Sequence, residues 1–188
     1  VQASGMYNTL LQCDEPAILI ESLNGYRLKE NQPINLSKFT VLLGKSEVLR
    51  EGKDISIVSY GSTLRLVEKA AIELEKFDID VEIIDLQTLI PFDTENRIKE
   101  SLKKTSRLLI VDEDLPGGAS AYILQKIIED QNAFNLLDSN PITLTAKEHR
   151  PAYGTDGDYF SKPSIDDIVE KSYEIMNEYN PENYPEIF

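Results

Sequence analysis

Ile110–Ser120 reads IVDEDLPGGAS: an apolar run ends in three acids, then come a proline and two glycines, then residues that open a helix. That is the layout of a strand, a turn and a helix, with a polar loop at the carboxyl end of the strand. In open α/β sheets ligands are held by loops at that edge. The stretch therefore raises two questions. One is whether the chain repeats this unit. The other is whether the loop is a ligand cradle or architecture.

The unit does recur. Downstream, Gly118 to Asp130 predicts a helix with Ala121, Leu124, Ile127 and Ile128 toward the core, and ITLTA (Ile142–Ala146) a further strand. Upstream, LLIVD (Leu108–Asp112) is preceded by a helix that Asp93 caps and that turns Ile98 and Leu102 inward. VEIIDL (Val81–Leu86) and ISIVSY (Ile55–Tyr60) are two more buried strands. After ISIVSY, Gly61-Ser62-Thr63 gives a turn and a helix cap, and Leu64, Val67, Ala71 and Leu74 recur at helical spacing. Val41–Arg50 leads in, with a short edge strand near Glu47–Arg50. Pro163-Ser164 starts a last helix with the stripe Ile165, Ile168, Val169 and Met176. Ser164 and Asp167 there stand at capping-box spacing. Continuous apolar strands alternating with helices predict an α/β domain, a parallel sheet covered on both faces. Before it, AILIE (Ala17–Glu21) reads as a short buried strand and Asn24–Phe39, with Pro33, as a linker.

The 188 residues suit one domain, or one domain with an extension. No apolar run approaches the roughly 20 residues that span a bilayer. The formal charge of −14, from 19 basic and 33 acidic residues, argues against a nucleic-acid or anionic-membrane surface and permits a basic protein partner. One cysteine, Cys13, excludes an internal disulfide and fits a reducing compartment. The chain opens on Val1 with no targeting pattern after it, so a fragment or processed product is expected. The tail is acidic and rich in tyrosine (Tyr173, Tyr179, Tyr184); a solvated tail is the plain reading and a docking surface the alternative.

Candidate chemistry is sparse. The turn in YGSTLR opens a helix, and helix amino termini bind anions, but neither G-x-G-x-x-G nor G-x-x-x-x-G-K-[ST] occurs. The lone histidine, His149, follows a strand end in KEHRPAYG, where a general acid or base or an interface residue would both fit. No G-x-S-x-G accompanies it. Asp112, Glu113 and Asp114 offer a weak D-x-D cation motif; their place before a helix amino terminus is explained as well by the helix dipole. Cys13 is followed by Asp14 and Glu15, whereas a nucleophilic thiolate wants basic neighbours, so it reads as a packing or loop residue.

Several phrases in fixed order carry a resemblance. VLLGKSEVLREGKDISIVSYGS, VEIIDLQTLIPFD and KKTSRLLIVDEDLPGGASA resemble the carboxyl-terminal domain of the beta subunit of thiamine-diphosphate-dependent 2-oxo acid dehydrogenases, of the pyruvate and branched-chain type. GMYNTLLQCDEPAILIESLNGYR resembles the end of the preceding pyrimidine-binding domain. The likeness runs to about Glu148; DGDYF (Asp156–Phe160) departs from the family's usual proline-rich stretch. The resemblance implies three segments: residues 1–23 ending the pyrimidine-binding domain, 24–40 a linker, and 41–188 a transketolase C-terminal-like domain. It implies a three-layer αβα sandwich whose five-stranded, mostly parallel sheet has one antiparallel edge strand. It places thiamine diphosphate and magnesium outside these residues, along with every catalytic group. It implies an alpha subunit or domain, self-association through the carboxyl-terminal domain, and docking of the acyltransferase's subunit-binding domain as partners. A cytoplasmic or mitochondrial-matrix setting goes with it. Some members bind a structural potassium ion near the segment matching Leu10–Glu15, and position points to Leu10, Cys13 and Glu15. Asp112, Glu113, Gly117, Gly118 and His149 fall at the interface and channel mouth. Asp112 stands where the family often has histidine. Related domains in transketolases and 2-oxo acid ferredoxin oxidoreductases are the alternative within enzymes, and a stand-alone interaction module of this fold the alternative outside them. Phosphosugar enzymes want basic anchors, which the acidic loops do not supply.

Overall fold

The computed structural model describes residues 2–29, 35–151, 153–154 and 157–187. Helix α1 (Gln2–Leu10) opens the chain. It is strapped to residues 36–41: Asn8 Nδ2 donates to Phe39 O at 2.7 Å and Thr9 Oγ1 to Val41 O at 2.6 Å. The approach is close enough that a Cβ on Gly5 would stand 2.6 Å from the Phe39 and Val41 side chains.

The expected strand at Ala17–Glu21 is not formed. The segment has no regular secondary structure, with Ile18 91% and Ile20 87% exposed. An apolar run becomes a strand only beside another strand that takes up its amides and carbonyls, and no described strand lies beside this one. In the expected linker, Leu23–Arg27 is a short 3-10 turn; Pro33 lies outside the described residues.

The sheet follows. Strand β1 (Glu47–Arg50) is the antiparallel edge, pairing Glu47 with Asp85. Strand β2 (Ile55–Ser59) leads into helix α2 (Leu64–Leu74), strand β3 (Val81–Asp85) into helix α3 (Arg97–Thr105), and strand β4 (Leu108–Val111) into helix α4 (Ala119–Gln125). Strand β5 (Ile142–Leu144), short helix α5 (Gly157–Ser161) and helix α6 (Ile165–Tyr179) close the chain. The order is β1-β3-β2-β4-β5, with every pair parallel except β1–β3.

Two cores lie on opposite faces, so the architecture is the expected three-layer sandwich. On one face Ile55, Ile57, Val81, Ile83, Leu109 and Val111 meet α2 and α6. On the other Val58, Ile84, Leu108 and Ile110 meet Ile98 and Leu102 of α3 and Ile123 and Ile127 of the α4 run. Strands buried on both faces have no reason to alternate polar and apolar, which is why they read as solid apolar runs. Each wholly buried aliphatic side chain contributes roughly 1.5–3 kcal/mol.

The caps divide. Ser164 and Asp167 form the expected capping box. Asp93 caps α3 from outside it, its Oδ2 accepting the Ile98 amide at 2.9 Å. Thr63 does not cap α2: Gly61–Thr63 is a 3-10 turn that runs into the helix, and Thr63 Oγ1 donates back to Tyr60 O at 2.6 Å. The inward face of α4 also differs. Ser120, Ile123 and Ile127 are buried while Ala121 is exposed. AYILQKII carries two apolar stripes. Both run at helical spacing, so the period alone cannot select between them; past Gln125 the helix widens to a π turn over Lys126–Asp130.

Candidate interface at the carboxyl edge of the sheet

Strands β2, β3, β4 and β5 are parallel and so end at one edge. Asp112, directly after β4, is the knot of that edge, 1% exposed. Its Oδ1 accepts the Tyr60 hydroxyl at 2.8 Å and the Asp114 amide at 3.1 Å; its Oδ2 accepts the Ser120 amide at 2.9 Å. Its own amide donates to Leu144 O at 3.0 Å. One side chain thus ties the ends of β2 and β4 to the start of α4. A buried carboxylate is tolerated when its lone pairs are taken up in this way. Burial first, and then the bond to Asp112, pushes the Tyr60 phenol far above its ordinary range, so it stays a protonated donor.

The loop turns on its two glycines for different reasons. Gly117 has φ +85°, a left-handed conformation that side chains resist. Gly118 is a close approach: a Cβ there would stand 2.2 Å from Asp114 Oδ2. Asp114 O accepts the Ala146 amide at 2.9 Å, joining this loop to the one after β5. The loop shows solvent Glu113, Asp114, Leu115 and Pro116, with Glu113 paired to Lys162 at 3.0 Å.

His149 lies on the loop after β5, exposed, its Nδ1 3.0 Å from Arg150 O. That loop is pinned by the Lys147 amide on Ser161 O at 2.9 Å. The structure thus brings Asp112, Glu113, Gly117 and Gly118 into one loop and hangs His149 on its neighbour. Asp85, at the end of β3, is the other buried acid of this edge. Burial raises its pKa to about 6, with Glu47 and Glu68 adding, while the Gln87 amide at 3.0 Å pulls the other way.

The edge is chemically quiet: Asp112 is fully hydrogen-bonded and Glu113 is ion-paired, so neither is poised as a base. Thiamine diphosphate does not fit here, because a diphosphate would meet Asp85, Asp112, Glu113 and Asp114. The positions matched to potassium are Leu10, Cys13 and Glu15. Leu10 O accepts the Cys13 amide at 3.1 Å and Cys13 Sγ donates to Thr9 O at 3.3 Å. Among the side chains of the three, Glu15 alone offers a hard oxygen, and all are at least partly exposed. As they stand they do not form an oxygen cage for a hard cation.

Residue patterning missed Tyr60 at this edge and, elsewhere in the fold, Arg107 and Gln131. Tyr60 follows β2 directly, and a Tyr at a strand end with acids at the next strand end is a readable signal. Arg107 and Gln131 gave none. Arg107 is buried, bonded through Nη2 to Asp138 at 2.8 Å and stacked 3.6 Å from the Tyr179 ring centroid.

Residues 44–161 match the family described as transketolase, C-terminal domain. The pyruvate dehydrogenase E1 component subunit beta of Rhizobium meliloti (strain 1021) is 34% identical over 169 residues, 89% of this chain and 36% of that one. The acetoin:2,6-dichlorophenolindophenol oxidoreductase subunit beta of Bacillus subtilis (strain 168) is 30% identical over 179 residues, 94% of this chain and 50% of that one. Among solved structures, a split-gene transketolase described as an inactive beta4 tetramer aligns with TM-score 0.61 at 20% identity, over 77% of this chain and 45% of that one. The three-layer fold is that of the solved structure it aligns with. The chain belongs to the transketolase C-terminal domain family. It spans about a third to a half of the length of the curated relatives it matches.

Proposed function

We propose that this chain is the assembly and channel-wall part of the decarboxylating component of a thiamine-diphosphate-dependent 2-oxo acid dehydrogenase, at the carboxyl-terminal side of its beta subunit. The observation that carries the proposal is the 34% identity over 169 residues to a pyruvate dehydrogenase beta subunit. Three segments are proposed: 1–23 the end of a pyrimidine-binding domain, 24–40 a linker, and 41–188 the transketolase C-terminal-like domain. A family match beginning at residue 44 supports the last boundary.

In this reading the cofactor and magnesium are held elsewhere in the enzyme, by the alpha part and the upstream beta domain. The cofactor supplies the chemistry and the protein supplies orientation and enclosure. Asp112 holds the edge rigid, and Glu113, Leu115 and His149 face the channel mouth or a second subunit. The exposed apolar tips Ile90 and Leu115 on this edge support self-association. The charge of −14 supports docking of a basic subunit-binding domain of the acyltransferase. A cytoplasmic or mitochondrial-matrix setting goes with this assignment.

The test is turnover by the full-length protein with its alpha partner, assayed on pyruvate, 2-oxoglutarate and branched-chain 2-oxo acids with an artificial electron acceptor. Decarboxylation of one of them, dependent on both parts, is the expected result. No turnover of any 2-oxo acid sinks the proposal. The 188 residues alone are expected to dimerise in light scattering and to show no saturable heat with thiamine diphosphate and magnesium; tight binding would move the cofactor site into this domain.

A further inference from the structure

We propose that the edge strand β1 is held to the sheet by a proton-operated clasp: Glu47 and Asp85 lie opposite each other, joined by Gln87, and the strand loosens as Asp85 gives up its proton. The inference does not rest on the function proposed above.

Strands β1 and β3 are antiparallel, and their register sets Glu47 directly against Asp85. Like charges in that position repel. Gln87 bridges the two. Its amide donates to Asp85 Oδ1 at 3.0 Å and its side-chain Nε2 to Glu47 Oε2 at 2.8 Å. It does so from a left-handed backbone, φ +58°, that residues other than glycine seldom adopt. Glu47 stands in solvent, whereas Asp85 is only 8% exposed.

The charges that act on Asp85 are those of Glu47 from β1 and Glu68 from α2, and both are negative. Strand β2 sets neutral Ser59 beside it. Lys45 and Arg50, near Glu47 in the chain, are taken by Glu95 and Glu75. Burial first raises the pKa of Asp85 to about 6, the two acids adding to it and the Gln87 amide pulling the other way. Opening β1 would return Asp85 to water and to its ordinary value near 3.9. The closed strand therefore binds the proton more tightly, and opening becomes easier as pH rises from the lower value through the higher.

Strand β1 is the part that can give. It is a four-residue edge strand with alternate residues exposed, and its pairing shifts register between Val48 and Arg50. Gly44, just before it, is tied to the loop that carries Gln87. Its amide donates to Thr88 Oγ1 at 2.8 Å, and its carbonyl accepts the Thr94 amide at 2.7 Å. The clasp thus sits at the joint between the amino-terminal segment and the sheet, and sets how firmly that segment is held.

Hydrogen exchange of the full-length protein at pH 5 and pH 7, read by mass spectrometry and corrected for the intrinsic effect of pH, tests the clasp. The β1 amides should be less protected than those of β4 at both values, and their protection should fall about tenfold from pH 5 to pH 7. Strand β5, the opposite edge, should show no such fall, and Asp85→Asn should remove it from β1. An equal fall in β5 overturns the inference, as does β1 protection that ignores pH or equals that of β4. A fall surviving in Asp85→Asn assigns it to another group and overturns it equally. If Asp85→Asn does not fold, Glu47→Lys decides: a cation opposite Asp85 favours its ionised form, so the fall should shrink to about twofold. An unchanged tenfold fall in that variant refutes the clasp.

Discussion

Two five-residue runs of nearly equal hydrophobicity meet opposite fates. Ile55–Ser59 (ISIVS) is wholly buried at the centre of the sheet, hydrogen-bonded to β3 on one side and β4 on the other. Residues 17–21 (AILIE) carry no ladder and hold two isoleucines in solvent. The runs differ in surroundings far more than in hydrophobicity. A strand is a property of a pair, and the energy of this molecule is concentrated where pairing and two-sided burial coincide.

The contrast can be broken most directly by truncation in each run. Ile57→Ala should cost about 4 kcal/mol in denaturant unfolding of the 188-residue chain, since it opens a cavity in a closed core. Ile18→Ser with Ile20→Ser should cost less than about 0.5 kcal/mol. Comparable losses would mean that the amino-terminal run is packed in solution after all. Asp112→Ala is next in size, at about 3 kcal/mol, because Tyr60, Asp114 and Ser120 would each lose their buried acceptor. A loss under about 1 kcal/mol would show that the carboxyl edge, like the arm, is decoration on the sheet.

Asp85 sharpens the comparison through pH. Its folded pKa of about 6 lies above the ordinary value near 3.9, so the folded state holds the proton more tightly. The stability this confers is complete below about pH 4 and is lost as pH rises through 6. Asp85→Asn keeps an acceptor for Gln87 and removes the titration. Relative to the parent, the variant should gain on the order of 2 kcal/mol between pH 4 and 7. Parallel stability curves for the two proteins would remove Asp85 from the buried set.

Most of the sheet was legible because its strands are buried on both faces and show as unbroken apolar runs. The helices announced themselves by period and, at Ser164-x-x-Asp167, by cap chemistry. Three readings failed for local reasons. AILIE has the composition of a strand but no described neighbour. Thr63 is a good cap residue whose hydroxyl is claimed by the carbonyl of Tyr60. Ala121 lost the core to Ile123 because two apolar stripes at the same helical spacing run along α4 and the period does not choose between them. At the carboxyl edge, the glycines and the acid at a helix amino terminus were legible. Tyr60 at a strand end was readable as a candidate, but its bond to Asp112 forms only once β2 and β4 lie side by side, and Ser120 binds Asp112 through a backbone amide that no side-chain pattern shows. The pairing of Asp93 with Gln131, 38 residues apart, has no sequence pattern to announce it.

The packing of α6 on α2 has a consequence for how the chain is made. These helices share one core, yet about a hundred residues separate them. As the polypeptide leaves the ribosome, β2, β3 and β4 can pair and α3 and α4 can cover their own face. The other face, with Ile57 and Val111, keeps part of its apolar surface bare until Ile168 and Met176 emerge. Vectorial synthesis therefore leaves a sticky half-sandwich as its last intermediate, and exposed sheet faces of that kind are what chaperones hold and what aggregates. A chain cut before Pro163 would keep all five strands and be trapped in that state.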